Sequence, residues 1–144
     1  DKGEYQLTNA MENMKQKGAR FKAGSVDVWM DCGNKNAMVD TNTKVLGYLK
    51  GDKGLVSNSL KSENSVVIAP CFIGDDVILT NSIVGPNVSI EKGTTVTGSV
   101  VRNSILRGMV RVQDSVVDNS MIGERASVTG RAMDLSVSDD STVG

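Results

Sequence analysis

The stretch NSVVIAPCFIGDDVILTNSIVGPNVSI, residues 64–90, decides the fold. It opens with Asn64-Ser65-Val66 and, seventeen residues on, repeats as Asn81-Ser82-Ile83. The tripeptide returns as Asn103-Ser104-Ile105 and Asn119-Ser120-Met121, with variants Gly98-Ser99-Val100, Asp114-Ser115-Val116 and Leu135-Ser136-Val137. Serines 65, 82, 99 and 115 are spaced by 17, 17 and 16 residues, and serines 104, 120 and 136 by 16 and 16. A shorter step runs inside that unit. Ile68, Ile73, Leu79, Val84, Ile90, Val96, Val101, Leu106, Val112, Val117, Ile122 and Val128 follow one another at five or six residues. A companion set keeps the same step, offset by one or two positions: Val66, Phe72, Val77, Ile83, Val88, Thr94, Val100, Ile105, Val110, Val116, Met121, Ala126, Ala132 and Val137. Neither the 3.6-residue helical period nor the two-residue strand period produces this pattern.

A coil with three short flat sides does produce it. Three segments of five or six residues make a turn of 16–17, and equivalent segments stack as parallel strands about 4.8 Å apart. The spacing predicts two inward aliphatic positions per side, each buried side chain contributing about 1.5–3 kcal/mol. Asn, Asp, Gly and Ser fall between the sides, where a corner needs turn or left-handed backbone. Gly74, Gly85, Gly93, Gly98, Gly108, Gly123 and Gly130 are spread as such corners require, and Pro70 and Pro86 sit at junctions. The repeated Asn and Ser are expected to form polar ladders outside the aliphatic core. Residues 57–144 hold about five turns on this reading, and spacing leaves their handedness open.

The first third of the chain has a different texture. Leu7, Ala10, Met11 and Met14 share one helical face, with Thr8 as N-cap and Gly18 as stop. Residues 21–29 alternate loosely through Val26, Asp27 and Val28 and read as one or two short strands. A second helix is expected from about Asn36 to Lys50, ending at Gly51. So short a strand-and-helix unit has too little apolar surface for a core of its own and needs a partner. Met11, Met14, Met30 and Met38 read as core packing, and Cys32 and Cys71 as buried small hydrophobes. The division is therefore 1–52 and 53–144.

Composition excludes several functions. Sixteen Lys+Arg against seventeen Asp+Glu, without a like-charge run, and only five aromatic residues weigh against nucleic acid as a partner. With no histidine, Ser-His-Asp and Cys-His nucleophile systems and imidazole-based zinc sites are out. The same absence argues against a β-helix acyltransferase, whose general base is a histidine. Two cysteines make no disulfide framework and fit a cytoplasmic setting. No stretch approaches the roughly 18 apolar residues of a membrane span, and the opening residues do not read as a signal peptide. The chain begins at Asp1 and not at Met, which reads as a piece of something longer.

Ile73-Gly74-Asp75-Asp76-Val77, Val84-Gly85-Pro86-Asn87-Val88 and Ile122-Gly123-Glu124-Arg125-Ala126 resemble the hexapeptide repeat of left-handed β-helix proteins. Gly3-Glu4-Tyr5-Gln6-Leu7-Thr8-Asn9-Ala10, followed by Trp29-Met30-Asp31-Cys32-Gly33, resembles the end of the catalytic domain of sugar-1-phosphate nucleotidyltransferases, most closely the long glucose-1-phosphate thymidylyltransferase-like type. Those enzymes carry Gly-Glu-x-x-Leu/Ile-Thr-Asp before one helix and Trp-x-Asp-x-Gly before another. The resemblance implies a mainly β fold, a parallel left-handed β-helix of about five turns preceded by a small α/β remnant of the catalytic domain. It implies that Asp31 helps hold Mg2+ in the intact parent, that Lys2 faces the sugar phosphate, and that Glu4 lies by the sugar pocket and holds the loop there. Two departures stand out: Asn9 replaces the usual Asp, and Asn34-Lys35 the usual Thr-Pro. The family's Gly-x-Gly-Thr-Arg nucleotide loop and the second metal-binding Asp are absent from this sequence.

The expectation is thus the C-terminal part of an enzyme making an NDP-sugar from a nucleoside triphosphate and a sugar-1-phosphate, with dTTP and glucose-1-phosphate foremost. The 144 residues alone are expected to be inactive, to hold no Mg2+ and to serve structure and self-association, as a trimer with a dimer next. A mannose-1-phosphate guanylyltransferase-type parent and a purely structural or regulatory β-helix are the alternatives.

Overall fold

The computed structural model describes residues 6–30, 32–130 and 135–143. From Lys61 the chain winds as a parallel β-solenoid of about five turns, preceded by two short helices. The first coil lays down β1 (Lys61–Glu63), β2 (Val66–Val67) and β3 (Cys71–Ile73), and the second β4 (Ile78–Thr80), β5 (Ile83–Val84) and β6 (Val88–Ile90). The third carries β7 (Thr95–Thr97), β8 (Val100–Arg102) and β9 (Ile105–Leu106), and the fourth β10 (Arg111–Gln113), β11 (Val116–Asp118) and β12 (Met121–Ile122). Then come β13 (Ser127–Thr129), β14 (Ser136–Val137) and β15 (Thr142–Val143). Face one stacks β1-β4-β7-β10-β13-β15, face two β2-β5-β8-β11, and face three β3-β6-β9-β12-β14.

Eleven of the twelve aliphatics read from the shorter step line the core: from Ile73 through Val128 each is at most 2% exposed. Ile68 is the correction. The register pairs Val67, not Ile68, with Val84, and pleat alternation turns Ile68 outward at 44% exposure. The companion set divides for the same reason. Val77, Val88, Thr94, Val110 and Ala126 lie two residues before a core position and face in. Val66, Phe72, Ile83 and Val116 lie one residue before it and face out.

Corners recur in columns. Asn64, Asn81, Gly98 and Asp114 turn face one into face two, and Gly130 follows β13 of face one, all at positive φ. Asn103 and Asn119 do so between faces two and three, and Asp76, Gly93, Met109, Arg125 and Asp140 between three and one. Asn and Asp predominate because their short polar side chains tolerate the left-handed region. Asn side chains also bond along the axis, Asn64 Nδ2 to Asn81 Oδ1 at 2.7 Å and Asn87 Nδ2 to Asn103 Oδ1 at 3.1 Å.

The serines correct the expectation of an external ladder. Ser82, Ser99, Ser104, Ser115 and Ser120 are buried, at most 4% exposed. Each hydroxyl donates to the carbonyl two residues back: Ser82 to Thr80, Ser99 to Thr97 and Ser115 to Gln113, at 2.7–2.8 Å. Ser65, Ser82 and Ser99 also accept the N–H of the serine one coil on, from Ser82, Ser99 and Ser115 respectively, at 3.0–3.1 Å. A second ladder links Ser104 to Ser120 and Ser120 to Leu135. These corner amides meet no carbonyl, and a short inward hydroxyl satisfies them.

The helices fall close to expectation. α1 (Leu7–Gln16) starts one residue before Thr8, so Thr8 lies inside it, and Gln6 is the N-cap without a side-chain cap bond. Gly18, φ +90, ends it: its N–H reaches Lys15 O and that of Ala19 reaches Met14 O, at 2.9 and 3.0 Å. α2 (Lys35–Tyr48) packs on β6 of face three with Val39 and Leu46 buried. Fourteen residues rise about 21 Å, the height of four to five coils. The strands expected in 21–29 do not form. Among the described residues nothing pairs with that segment, and an unpaired extended chain has no ladder to stabilise it. Met11, Met14 and Cys32 are exposed where burial was expected: among the described residues no element covers α1, and Cys32 lies in the exposed segment before α2.

Two substitutions test the packing. Ser99→Ala leaves the buried Ser115 N–H without an acceptor and is expected to cost about 1–3 kcal/mol in urea unfolding, while Ser99→Thr retains most of the stability. At Gly123, an added Cβ would stand 2.5 Å from Asp139 N and Ser138 C of the next coil. Gly123→Ala is therefore expected to destabilise by roughly 1–3 kcal/mol, whereas Gly24→Ala, with nothing within 4 Å, leaves the midpoint unchanged.

Candidate functional site

Lys2, Glu4 and Asp31, the residues read as facing sugar phosphate and metal, lie outside the described residues. Their surroundings are nevertheless informative. Trp29 is 82% exposed, Met30 is half-buried and Cys32 is exposed. Gly33 then leads into α2, where the Asn34 side chain accepts the Ala37 N–H at 3.0 Å. Asn34 is thus the N-cap and Lys35 the first helical residue. Thr at the cap and Pro at the first helical position perform the same two tasks. The departure at Asn34-Lys35 therefore preserves the capping chemistry, and the cap role that an Asp just before a helix often takes belongs here to Asn34.

From that cap, α2 is fastened to face three by polar contacts. Lys35 Nζ donates to Asn119 O at 2.8 Å. Ser89 Oγ donates to Asn42 Oδ1 at 2.6 Å, and Asn42 Nδ2 to Asn87 O at 3.3 Å. Asn42 lies between Val39 and Leu46 along the helix, so one helix face carries both the apolar and the polar parts of the seat. Sequence reasoning missed this role. An Asn at helical spacing between two buried aliphatics was the available signal.

Two clefts flank the seat. One of about 450 Å3 lies between Met38 of α2 and Ile105, Met121, Arg107 and Asp139 of the solenoid. The other, about 360 Å3, lies at the base of the first coil against Leu55, Val67, Pro70 and Cys71. The Arg107 guanidinium is engaged by Glu91 at 2.8 Å. Arg125 grips Asp140 through two nitrogens, and that bond holds the Asp140 carboxyl below its ordinary range. Among the described residues no three His, Cys, Asp or Glu side chains gather to hold a metal, and no helix is long and apolar enough to cross a membrane. Asp31 is one oxygen donor suited to a hard cation, but one carboxylate does not make a Mg2+ cage.

Burial pushes the Cys71 thiol up, while Cys32 is exposed. A neutral, enclosed thiol is a poor nucleophile. Ellman's reagent at pH 8 is expected to label one thiol per native chain rapidly and the second only in denaturant, and Cys32→Ser is expected to abolish the rapid phase.

No family model matches the chain. Two curated proteins are similar to it. The glucose-1-phosphate thymidylyltransferase of Streptomyces antibioticus is 24% identical across 89% of this chain and 40% of its own length. That of Streptomyces griseus is 30% identical with the same coverage. The chain thus spans about two fifths of the length of these relatives. It is weakly homologous to glucose-1-phosphate thymidylyltransferase, which makes it nucleotidyltransferase-related, and its solenoid fits a hexapeptide-repeat β-helix.

Proposed function

We propose that this chain is part of a cytoplasmic nucleotidyltransferase that joins dTTP to glucose-1-phosphate, forming an NDP-sugar and pyrophosphate. The observation that carries the reading is the pair of motifs around Glu4 and Asp31 in a chain homologous to two thymidylyltransferases. In that reaction a sugar-phosphate oxygen attacks the nucleotide α-phosphorus in line and pyrophosphate leaves, so catalysis is positioning plus electrostatics. Lys2 supplies positive charge for the sugar phosphate, Glu4 orders the neighbouring loop, and Asp31 is the oxygen ligand for Mg2+, a cation that offsets phosphate charge when bound. One carboxylate without a nucleotide loop does not assemble this site, so the 144 residues alone do not turn over.

Residues 1–52 belong to the catalytic body on this reading. Leu7, Met11, Met14, Val26, Val28 and Trp29, all exposed among the described residues, suit packing against the remainder of such a body. The solenoid provides structure and self-association.

Pyrophosphate release by the gene's full product, screened with dTTP, GTP, ATP and UTP against glucose-1-phosphate and mannose-1-phosphate, tests the reading. Turnover is expected with dTTP and glucose-1-phosphate, and Asp31→Asn is expected to lower it roughly 100-fold or more. Turnover with GTP and mannose-1-phosphate alone would replace the substrate pair, no turnover would overturn the enzymatic reading, and turnover by the 144 residues alone would overturn the assignment of an incomplete site.

A further inference from the structure

Helix α2 and the solenoid repeat at different pitches, and their contacts fall where the two agree. Asn87, Asn103 and Asn119 occupy the same corner in successive coils, all at positive φ. The first and third of these corners turn a backbone carbonyl to the helix. Asn42 Nδ2 donates to Asn87 O at 3.3 Å, and Lys35 Nζ to Asn119 O at 2.8 Å. Asn119 Nδ2 also donates to Asn36 Oδ1 at 3.5 Å, so the first helical turn holds that corner twice. Lys35 and Asn42 are nearly two helical turns apart and share a helix face, with a rise of about 10.5 Å between them. Asn87 and Asn119 are two coils apart, which is about 9.6 Å. The spacings agree to about 1 Å.

Apolar packing does not choose this register. The outward column of face three runs Phe72, Ser89, Ile105 and Met121, each in register with the next. Val39 and Leu46 supply the buried aliphatics of the helix. A slip by one helical turn is about 5.4 Å, close to one coil at about 4.8 Å. It would set the same aliphatic side chains over a similar floor, and packed helices do move by such discrete steps. The polar contacts tell the registers apart. Ser89 is the one polar member of those four, and its hydroxyl donates to Asn42 Oδ1 at 2.6 Å. Asn42 thus spends both ends of its amide on the second coil, while Lys35 closes the helix start on the fourth. Moved one coil up, the half-buried Asn42 amide would face the Ile105 side chain, which offers no donor.

We propose that Lys35 and Asn42 are positioning residues: they set the register of α2 on the solenoid, and with it the height at which the Trp29–Gly33 segment stands. The inference rests on the proposed function for the role of Asp31 in that segment. The backbone runs from the segment through the Asn34 cap directly into Lys35, so a slip of α2 carries the segment along. In-line transfer loses about 100-fold for a misplacement of 1 Å, and a one-coil slip is several times that distance.

Lys35→Met/Asn42→Leu tests it, with Lys35→Arg as the conservative control that keeps a donor for Asn119 O. Spin labels on the exposed Cys32 and on Glu63→Cys of the first coil read the register in this chain without substrate, Cys71 being buried. The parent and Lys35→Arg are expected to give one distance, and the double variant a second, displaced population. An unchanged distribution in the double variant overturns the register role. In the gene's full product the double variant is expected to lower kcat roughly 10- to 100-fold with KM for dTTP held, while Lys35→Arg keeps kcat. A displaced segment with full kcat overturns the link to the site. A wild-type full product without turnover overturns the proposed function instead, and the label distances still decide the register. If the double variant fails to fold, Lys35→Met alone carries the same expectations, because it leaves the Asn42 seat intact.

Discussion

At recurring corners of the solenoid one backbone amide is met by a side-chain hydroxyl of the preceding coil and not by a carbonyl. Between faces one and two that amide belongs to Ser82, Ser99 and Ser115, and the serine hydroxyl of the preceding coil accepts it. The same hydroxyl donates to a carbonyl of its own coil, so one small side chain ties its corner together and supports the next. Among the described residues no buried side-chain polar atom is left without a partner. A valine in that slot would fill the volume and orphan the amide, which is worse than a lost contact in a low-dielectric interior. The repeating serine is a response to backbone geometry. The left-handed Asn, Asp or Gly before it makes the turn, and the aliphatic two residues after it closes the core.

The two parts of the chain meet through α2. Its length matches the height of the stacked coils, and Val39, Asn42 and Leu46 carry apolar and polar contact on one side. Lys35 reaches Asn119 from the helix start, and the segment bearing Asp31 leads directly into that start. A helix fastened to the fourth coil at one end and continuous with the first coil at the other makes the solenoid a brace for whatever the Trp29–Gly33 segment serves. Residues 7–30 contrast with this. Their large apolar side chains find no cover among the described residues, while every core position of the middle coils is sealed.

Legibility followed the range of the interactions. The five-to-six-residue step located eleven core aliphatics because each inward position recurs within its own coil, so local spacing carries the information. Gly18 and Gly51 read as helix stops because positive φ at a terminus, +90 and +98, is a local demand. Ile68 was misplaced because Val66, Val67 and Ile68 are chemically alike, and the register against Val84 chose among them. Residues 21–29 alternate as a strand does, but a strand exists only with a neighbour. The Asn34-Lys35 pair departs from the motif and is conservative as a helix cap.

The amino-acid order alone determined the coil, its three sides, its turn length and its homology, because these are written in residues a few positions apart and repeated along the chain. Tertiary structure decided that the serines face inward, that α2 covers face three, and that face two has no cover among the described residues. Those outcomes depend on which residues from different coils, or from 47 to 84 positions away, come within hydrogen-bonding distance, and no periodicity encodes that.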